Sequence, residues 1–255
     1  MTSRLEGTVA LVTGASSGIG EATALALAAQ GAAVAVAARR RDRLETLAGK
    51  IRADGGTVLV LEADITQHDE AVGVVEQTVD GLGRLDTLVN NAGLMLLGPT
   101  VGADTSEWSR MVEINVNALL WCAHAALPHL LAAAGQDPRR VADLVNISSV
   151  AGRFPRSGSA AYNATKHAVT GFSEALRQEV TQRHVRVSMV EPGAVATELR
   201  LHNSPEVQAG MNQRFGDTEL LESEDIAEAV AFIVTRPRHM AVNEMLIRPT
   251  EQVWP

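Results

Sequence analysis

Short apolar, β-branched runs alternate with longer helical patterns along the whole chain, and this alternation limits the fold more than any other feature. The runs cover residues 9–12, 34–37, 57–61, 87–89, 144–147, 185–190 and 245–247. Each is nearly all apolar and bounded by polar residues or glycine, the pattern of a parallel strand covered on both faces. Helical patterns lie between them, over roughly 18–30, 41–53, 67–82, 106–133, 160–183 and 223–235. The alternation predicts an α/β chain with a doubly wound parallel sheet of about seven strands, right-handed crossovers and helices on both faces. No repeat, low-complexity tract or linker divides the 255 residues, so a single domain, 1–255, is expected.

Apolar residues make up 46% of the chain and charged residues 20%, which supplies a sizeable core and argues against disorder. The 22 basic residues face 30 acidic ones, for a formal net charge of −8. Nucleic acid and anionic membrane both need clustered positive charge, so neither is expected as a partner. No run reaches the ~18 consecutive apolar residues of a membrane helix. The first apolar run falls short of the ~7–15 residues of a signal-peptide core. Cys122 is the only cysteine, so no intramolecular disulfide can form. A cytoplasmic location follows as the expectation. The histidines are scattered and no carboxylates cluster at ligand spacing, so no metal is expected.

Two stretches lack strand periodicity. Residues 135–140 form a polar loop. Residues 198–222 are long and polar and contain Gly210 and Gly216. A segment of that length inside a compact domain is a candidate lid, and its place before the last helix suits a substrate cover.

The first strand runs into Thr13-Gly14-Ala15-Ser16-Ser17-Gly18-Ile19-Gly20, and a helix follows at once. Glycines let a backbone turn tightly and approach a pyrophosphate, while the helix N-terminus offers free N–H groups and a positive dipole end. The strand-to-helix setting supports nucleotide binding. This loop resembles that of the short-chain dehydrogenase/reductase family, whose glycine signature is TGxxxGIG. The resemblance implies a Rossmann fold with Gly14, Ser16, Ser17, Gly18, Ile19 and Gly20 at the cofactor.

The second strand ends Ala37-Ala38-Arg39-Arg40-Arg41. NAD sites usually carry an acidic residue here to hold the ribose 2′-hydroxyl, and Ala38 stands in its place. An arginine fork pairs instead with a 2′-phosphate. The resemblance therefore implies that Arg39, with Arg40, selects NADP(H). It also assigns Asp64 and Ile65 to the adenine. As an isolated residue, Asp64 reads equally as a helix N-cap. Asn90-Asn91-Ala92-Gly93 matches the family's NNAG turn, placing Asn91, Ala92 and Gly93 beside the cofactor; asparagine side chains there can also tie strand ends together.

Tyr162 and Lys166 stand four apart in a helical pattern and so share a face. Tyr162 is the only tyrosine, and Lys166 is one of two lysines with Lys50. A tyrosine's ordinary pKa of ~10 makes it a poor acid–base at neutral pH. A neighbouring cation, aided by a cofactor's positive ring, would favour the phenolate. The fifth strand ends in Ser148-Ser149, with Ser149 13 residues before Tyr162, and the side chain of Ser148 should leave the strand end on the opposite side. These residues resemble the family's catalytic set. The resemblance implies that Ser149 binds the substrate carbonyl, that Tyr162 transfers the proton, that Lys166 supports the phenolate and holds the ribose, and that Asn115 links Lys166 to water. Asn115 among apolar helix positions needs hydrogen-bond partners in any case, and it can satisfy them while kinking its helix. The stretch Glu191-Pro192-Gly193-Ala194-Val195-Ala196-Thr197 resembles the family's PG-x-V-x-T, implying that Pro192, Gly193, Val195 and Thr197 wrap the nicotinamide side.

The five motifs occur in family order from residue 5 to about 200. The AARR turn and the ending Asn243-Glu244-Met245-Leu246-Ile247-Arg248-Pro249-Thr250 are similar to the branch of clavulanate-aldehyde-type reductases and 3-hydroxy acid dehydrogenases. The resemblance implies a reversible NADPH-dependent carbonyl reductase acting on a small carbonyl or alcohol substrate as a homodimer or homotetramer. An NAD-dependent alcohol dehydrogenase and a non-catalytic dinucleotide sensor remain the rival readings. Arg153 and Arg156, between Ser149 and Tyr162, are candidate ligands for a substrate carboxylate or else solvated loop charges. Met95, Leu96, Leu97 and Phe154 are candidate pocket wall or core.

Overall fold

The computed structural model describes residues 4–253, so residues 1–3 and 254–255 of the expected domain lie outside the description. Seven strands form: β1 (Val9–Thr13), β2 (Ala33–Ala38), β3 (Val58–Glu62), β4 (Thr87–Asn90), β5 (Ala142–Ile147), β6 (Val185–Pro192) and β7 (Glu244–Ile247). They make one parallel sheet in the order β3-β2-β1-β4-β5-β6-β7. The helices are α1 (Gly18–Ala29), α2 (Arg41–Ala53), α3 (His68–Leu82), α4 (Thr105–Val112), α5 (Ala118–Ala134), α6 (Ala160–Val180), α7 (Pro205–Phe215) and α8 (Ser223–Val234). The expected single-domain α/β Rossmann fold is thus present.

Strand alternation divides the core in two. Leu11, Ala35, Leu88, Leu144 and Val187 face one side, under α3, α5 and α6. Ala10, Val12, Val34, Val36 and Val145 face the other, under α1, α2 and α8. Both faces are covered, which is why the strands are apolar throughout rather than alternating. Leu11 has no exposed surface. Truncating such a leucine to alanine costs about 2–5 kcal/mol.

Two elements differ from the sequence expectation. The helix expected over 106–133 is α4, one turn of π-helix at Glu113–Asn117, and then α5. Asn115 sits in that wide turn, 2% exposed, with its amide fully engaged. The 198–222 segment is not an irregular loop. It contains a 3-10 turn, Glu198–His202, and α7. Ser204 accepts the Val207 N–H at 3.4 Å and Pro205 occupies the first turn, so α7 begins with strong start signals. Its apolar face is thin, with Val207, Met211 and Phe215 only half-buried and no residue fully buried.

The run Thr105–Ala134 is 30 residues long and apolar enough to cross a membrane by length and composition. Here it packs against α3, α6, β4 and β5.

Candidate active site

Crossovers from β1 and from β4 leave in opposite directions, and ligands in doubly wound sheets bind where that reversal opens a crevice at the strand carboxyl ends. A cleft of about 820 Å³ lies there. Every residue the sequence assigns to the cofactor lines it except Gly20. Ser149, Tyr162 and Lys166 line it as well, whereas Asn115 lies behind its wall.

The glycine loop is shaped partly by the fold itself. Gly14 has a φ of +66°, and a Cβ there would stand 2.7 Å from the Ala92 Cα. A Cβ on Gly20 would stand 2.4 Å from both the Gly14 carbonyl oxygen and the Asn91 amide nitrogen. Gly20 therefore serves close packing of loop against loop rather than the cleft surface. Asn91 donates to the Thr13 carbonyl at 2.9 Å, and the Thr13 hydroxyl accepts the Asn91 and Ala92 N–H groups at 3.1 and 3.2 Å. Asn90 donates to Asn146 at 3.0 Å, tying β4 to β5. The asparagines thus hold the strand ends together, and Asn91 does so while lining the cleft.

At the end of β2 the two arginines part. Arg39 is exposed at the cleft and makes no hydrogen bond or ion pair among the described residues. Arg40 is committed. Its Nε and Nη2 donate to the Ser16 hydroxyl at 3.2 and 3.0 Å, Nη2 also donates to Ser17 at 2.8 Å, and Nη1 pairs with Glu198 at 2.9 Å. Asp64 is not the helix cap. Its carboxylate accepts the Thr66 N–H and hydroxyl at 3.2 and 2.8 Å, and α3 starts four residues later, after Gln67.

The residues expected to be catalytic lie just after β5 and on α6. Ser149 is half-buried, caps a short 3-10 turn by accepting the Ala151 N–H at 3.1 Å, and hydrogen-bonds Tyr162. Ser148 beside it is buried, and its hydroxyl has no partner. Tyr162 packs on Leu96 and Met111. Lys166 donates to the Ile147 carbonyl at 2.9 Å, and its Nζ stands 5.9 Å from the Tyr162 ring centroid. Burial pushes Tyr162 up to about 12, and the Ser149 hydrogen bond pulls it only partly back. Burial also lowers Lys166 to about 8. The chain's own groups thus keep Tyr162 a protonated phenol at neutral pH, and the neighbouring lysine alone does not bring about the lowered pKa expected with a cofactor's positive ring beside it. Asn115 makes no hydrogen bond to Lys166. Its amide oxygen accepts the Leu94 N–H at 2.8 Å, and its nitrogen donates to the Leu94 carbonyl at 2.8 Å and to Thr165 at 3.1 Å.

Arg153 is neither a cleft residue nor a solvated charge. It pairs at 2.7 Å with Glu191, which is fully buried, and also with Glu244, locking the turn after β5 to β6 and β7. Arg156 does line the cleft, half-buried, as do Met95, Leu97 and Phe154; Leu96 is core.

Sequence reasoning missed two contributions. The Gln252 side chain accepts the Ala194 N–H at 2.8 Å, so the end of the chain holds the PG-x-V-x-T turn; a lone glutamine carries no signal for that. The 198–222 segment supplies cleft wall through Leu199, His202, Met211 and Phe215. Its Asn203 accepts the Leu97 N–H at 2.7 Å and donates to the Met95 carbonyl at 3.0 Å. Its far end returns to its origin, where Leu221 bridges Val195.

Comparison with known proteins agrees with this geometry. Residues 8–208 match the family described as short chain dehydrogenase. The chain is 38% identical over 251 residues to the glycine betaine reductase of Emericella nidulans, covering 97% of this chain and 19% of that much longer protein. It is 35% identical over 247 residues to an uncharacterised oxidoreductase of Staphylococcus saprophyticus, covering 96% of each. Among solved structures, a serine dehydrogenase complexed with NADP+ superposes with a TM-score of 0.87 at 30% identity, covering 97% of each chain. An alcohol dehydrogenase from Thermococcus sibiricus complexed with 5-hydroxy-NADP gives 0.85 at 27% identity, covering 97% of this chain and 99% of that one. With its sheet, its cleft and most of its length accounted for in this way, the chain belongs to the short-chain dehydrogenase/reductase family of oxidoreductases.

Proposed function

We propose that the protein is an NADP(H)-dependent carbonyl reductase that interconverts a ketone or aldehyde and its alcohol. The observation that carries this reading is the convergence of Ser149, Tyr162 and Lys166 on one cleft whose far end presents an unpaired Arg39. Ser149 and Tyr162 offer two hydroxyls to one carbonyl oxygen. Tyr162, a neutral phenol at working pH, gives up its proton as that oxygen gains charge. Lys166 lies beside the ring to stabilise the phenolate left behind. When bound, the dinucleotide supplies the hydride or, in the reverse direction, takes it up.

The donor set fits a 2′-phosphorylated dinucleotide. Ala38 brings no carboxylate to repel the phosphate, and Arg39 is available to pair with it. The NADP+ and 5-hydroxy-NADP complexes among similar structures support the same choice. Lys166 and the glycine loop would hold ribose and pyrophosphate.

The 198–222 segment acts as the substrate cover in this reading, and Arg156 is the remaining candidate for a substrate carboxylate. Placement near the clavulanate-aldehyde-type reductases and 3-hydroxy acid dehydrogenases rests on the AARR turn and the chain's ending. A cytoplasmic homodimer or homotetramer completes the proposal on the strength of the sequence.

The test is consumption of NADPH and of NADH with a panel of aldehydes, ketones and β-keto acids. Turnover with a much lower KM for NADPH is expected. Equal efficiency with the two cofactors overturns the cofactor assignment, and no turnover of any carbonyl overturns the reaction.

A further inference from the structure

We propose that Glu198 discriminates between cofactors: it is an internal anion seated on Arg40 and Arg43 that a 2′-phosphate must displace, so that NADP(H), and not NAD(H), unlatches the first turn of the 198–222 segment. This deepens the NADP(H) reading and rests on it.

One oxygen of the Glu198 carboxylate stands 2.9 Å from Arg40 Nη1 and the other 2.6 Å from Arg43 Nη1. Two guanidinium groups converging on one anion make an anion site, and the chain's own carboxylate sits on it. Arg40 cannot swing away to offer a second site, because its other nitrogens are tied to Ser16 and Ser17 on the glycine loop. The site borders the end of β2, where a doubly wound sheet places the adenosine ribose. A 2′-phosphate arriving there meets a carboxylate of its own sign. Arg43 first, and then Arg40, hold the Glu198 carboxyl down to about 2, so the competing charge is present at every working pH.

The exchange is feasible because all three side chains are partly in water, at 40–43% exposure, and ion pairs in that setting are held weakly. A phosphate brings more charge and more acceptor oxygens than a carboxylate, and it wins such a contest. A dinucleotide with a bare 2′-hydroxyl brings no charge to compete.

The position of Glu198 gives the exchange a consequence. It directly follows Thr197, at the point where the segment leaves the PG-x-V-x-T turn. Releasing Glu198 frees that root of the segment, while Asn203 still holds the neighbouring part to Met95 and Leu97.

The experiment measures calorimetric dissociation constants for 2′,5′-ADP and ADP on the whole protein, for wild type, Glu198→Gln and Glu198→Ala. Both variants are expected to bind 2′,5′-ADP about fivefold or more tightly than wild type and to leave ADP within about twofold. No tightening, or equal tightening of both ligands, overturns the proposal. The wild-type ratio of the two constants reports separately on NADP(H) preference, so a protein indifferent to the 2′-phosphate whose variants gain a preference defeats the cofactor reading and leaves Glu198 in its role. Limited trypsin digestion gives a second readout. In wild type, 2′,5′-ADP and not ADP should speed cleavage after Arg200, and Glu198→Gln should be cleaved fast with no ligand. Equal rates in wild type and Glu198→Gln overturn the latch.

Discussion

The amide of Asn115 donates to the hydroxyl of Thr165 at 3.1 Å, and that hydroxyl donates to the Tyr162 carbonyl at 2.8 Å. A π-turn between α4 and α5 is thereby fastened to α6 between Tyr162 and Lys166. The same amide pairs with both backbone groups of Leu94. Asn115 thus sets α6 against the segment after the NNAG turn. Replacing it with leucine strands the Leu94 N–H and C=O, at a cost of about 1–3 kcal/mol each where they are buried. Asn115→Leu should lower Tm and cut kcat far more than it raises the KM for the cofactor. An unchanged kcat would leave Asn115 a purely structural group.

The only tyrosine makes its own ionisation readable. Phenolate absorbance should be missing up to about pH 10.5, above an ordinary tyrosine, while far-UV circular dichroism stays native. Ser149→Ala should push the onset higher, because Ser149 is the group that pulls it down. A native-state midpoint below 10 would show that Lys166 governs Tyr162 after all. Tyr162→Phe should remove nearly all turnover and leave 2′,5′-ADP binding intact.

Lys166 should make stability depend on alkaline pH. Its pKa falls from 10.5 in the unfolded chain to about 8 in the fold, because burial disfavours the cation. Between those values the unfolded chain holds a proton that the folded one has lost, so stability rises with pH across this window. The Tm of wild type relative to Lys166→Met should therefore climb from about pH 7.5 to 9.5. A flat difference would mean that the lysine is better solvated than its 7% exposure indicates.

Arg153→Ala should act on stability rather than on substrate. It leaves the fully buried Glu191 carboxylate without its guanidinium. Breaking a buried pair costs about 3–5 kcal/mol, and the one-third exposure of Arg153 reduces the expected loss to about 2 kcal/mol. Glu191→Gln in the same background should recover part of the loss in Tm. A raised KM with unchanged Tm would instead return Arg153 to the substrate site.

Arg156→Ala should raise the KM for carboxylated substrates and leave neutral ketones alone. Equal effects on both would remove it from substrate recognition.

The central strands were legible because both their faces are covered, so composition alone marks them, while the edge strands β3 and β7 are only partly covered and stood out by their short apolar runs. The helix over Arg41–Ala53 was legible to the residue because its apolar stripe and flanking polar turn coincide. Helix α7 was not, since its three apolar residues are only half-buried in a polar stretch and its start signal, Ser204-Pro205, is local chemistry that periodicity does not register. That Ser149, Tyr162 and Lys166 meet in one cleft was legible through spacing within one helix and one strand end. The ion pairs of Arg153 and of Glu198 join residues from 38 to 158 positions apart, and no local pattern reports such contacts. The difference for Tyr162 has the same root: the sequence shows its neighbouring charge but not the depth of its burial.

The bridge between Val195 and Leu221 means that the cleft-covering segment leaves and re-enters the domain through one doorway. Such a segment behaves as a cassette. Its length can change at little entropic cost, about 0.6 kcal/mol per doubling, because its ends are already together. Exchanging residues 198–220 for a segment of different size and lining should leave the sheet, the glycine loop and the Ser149–Tyr162–Lys166 set in place. On the proposed function, substrate range can therefore drift through this segment while the Ser149–Tyr162–Lys166 set stands still.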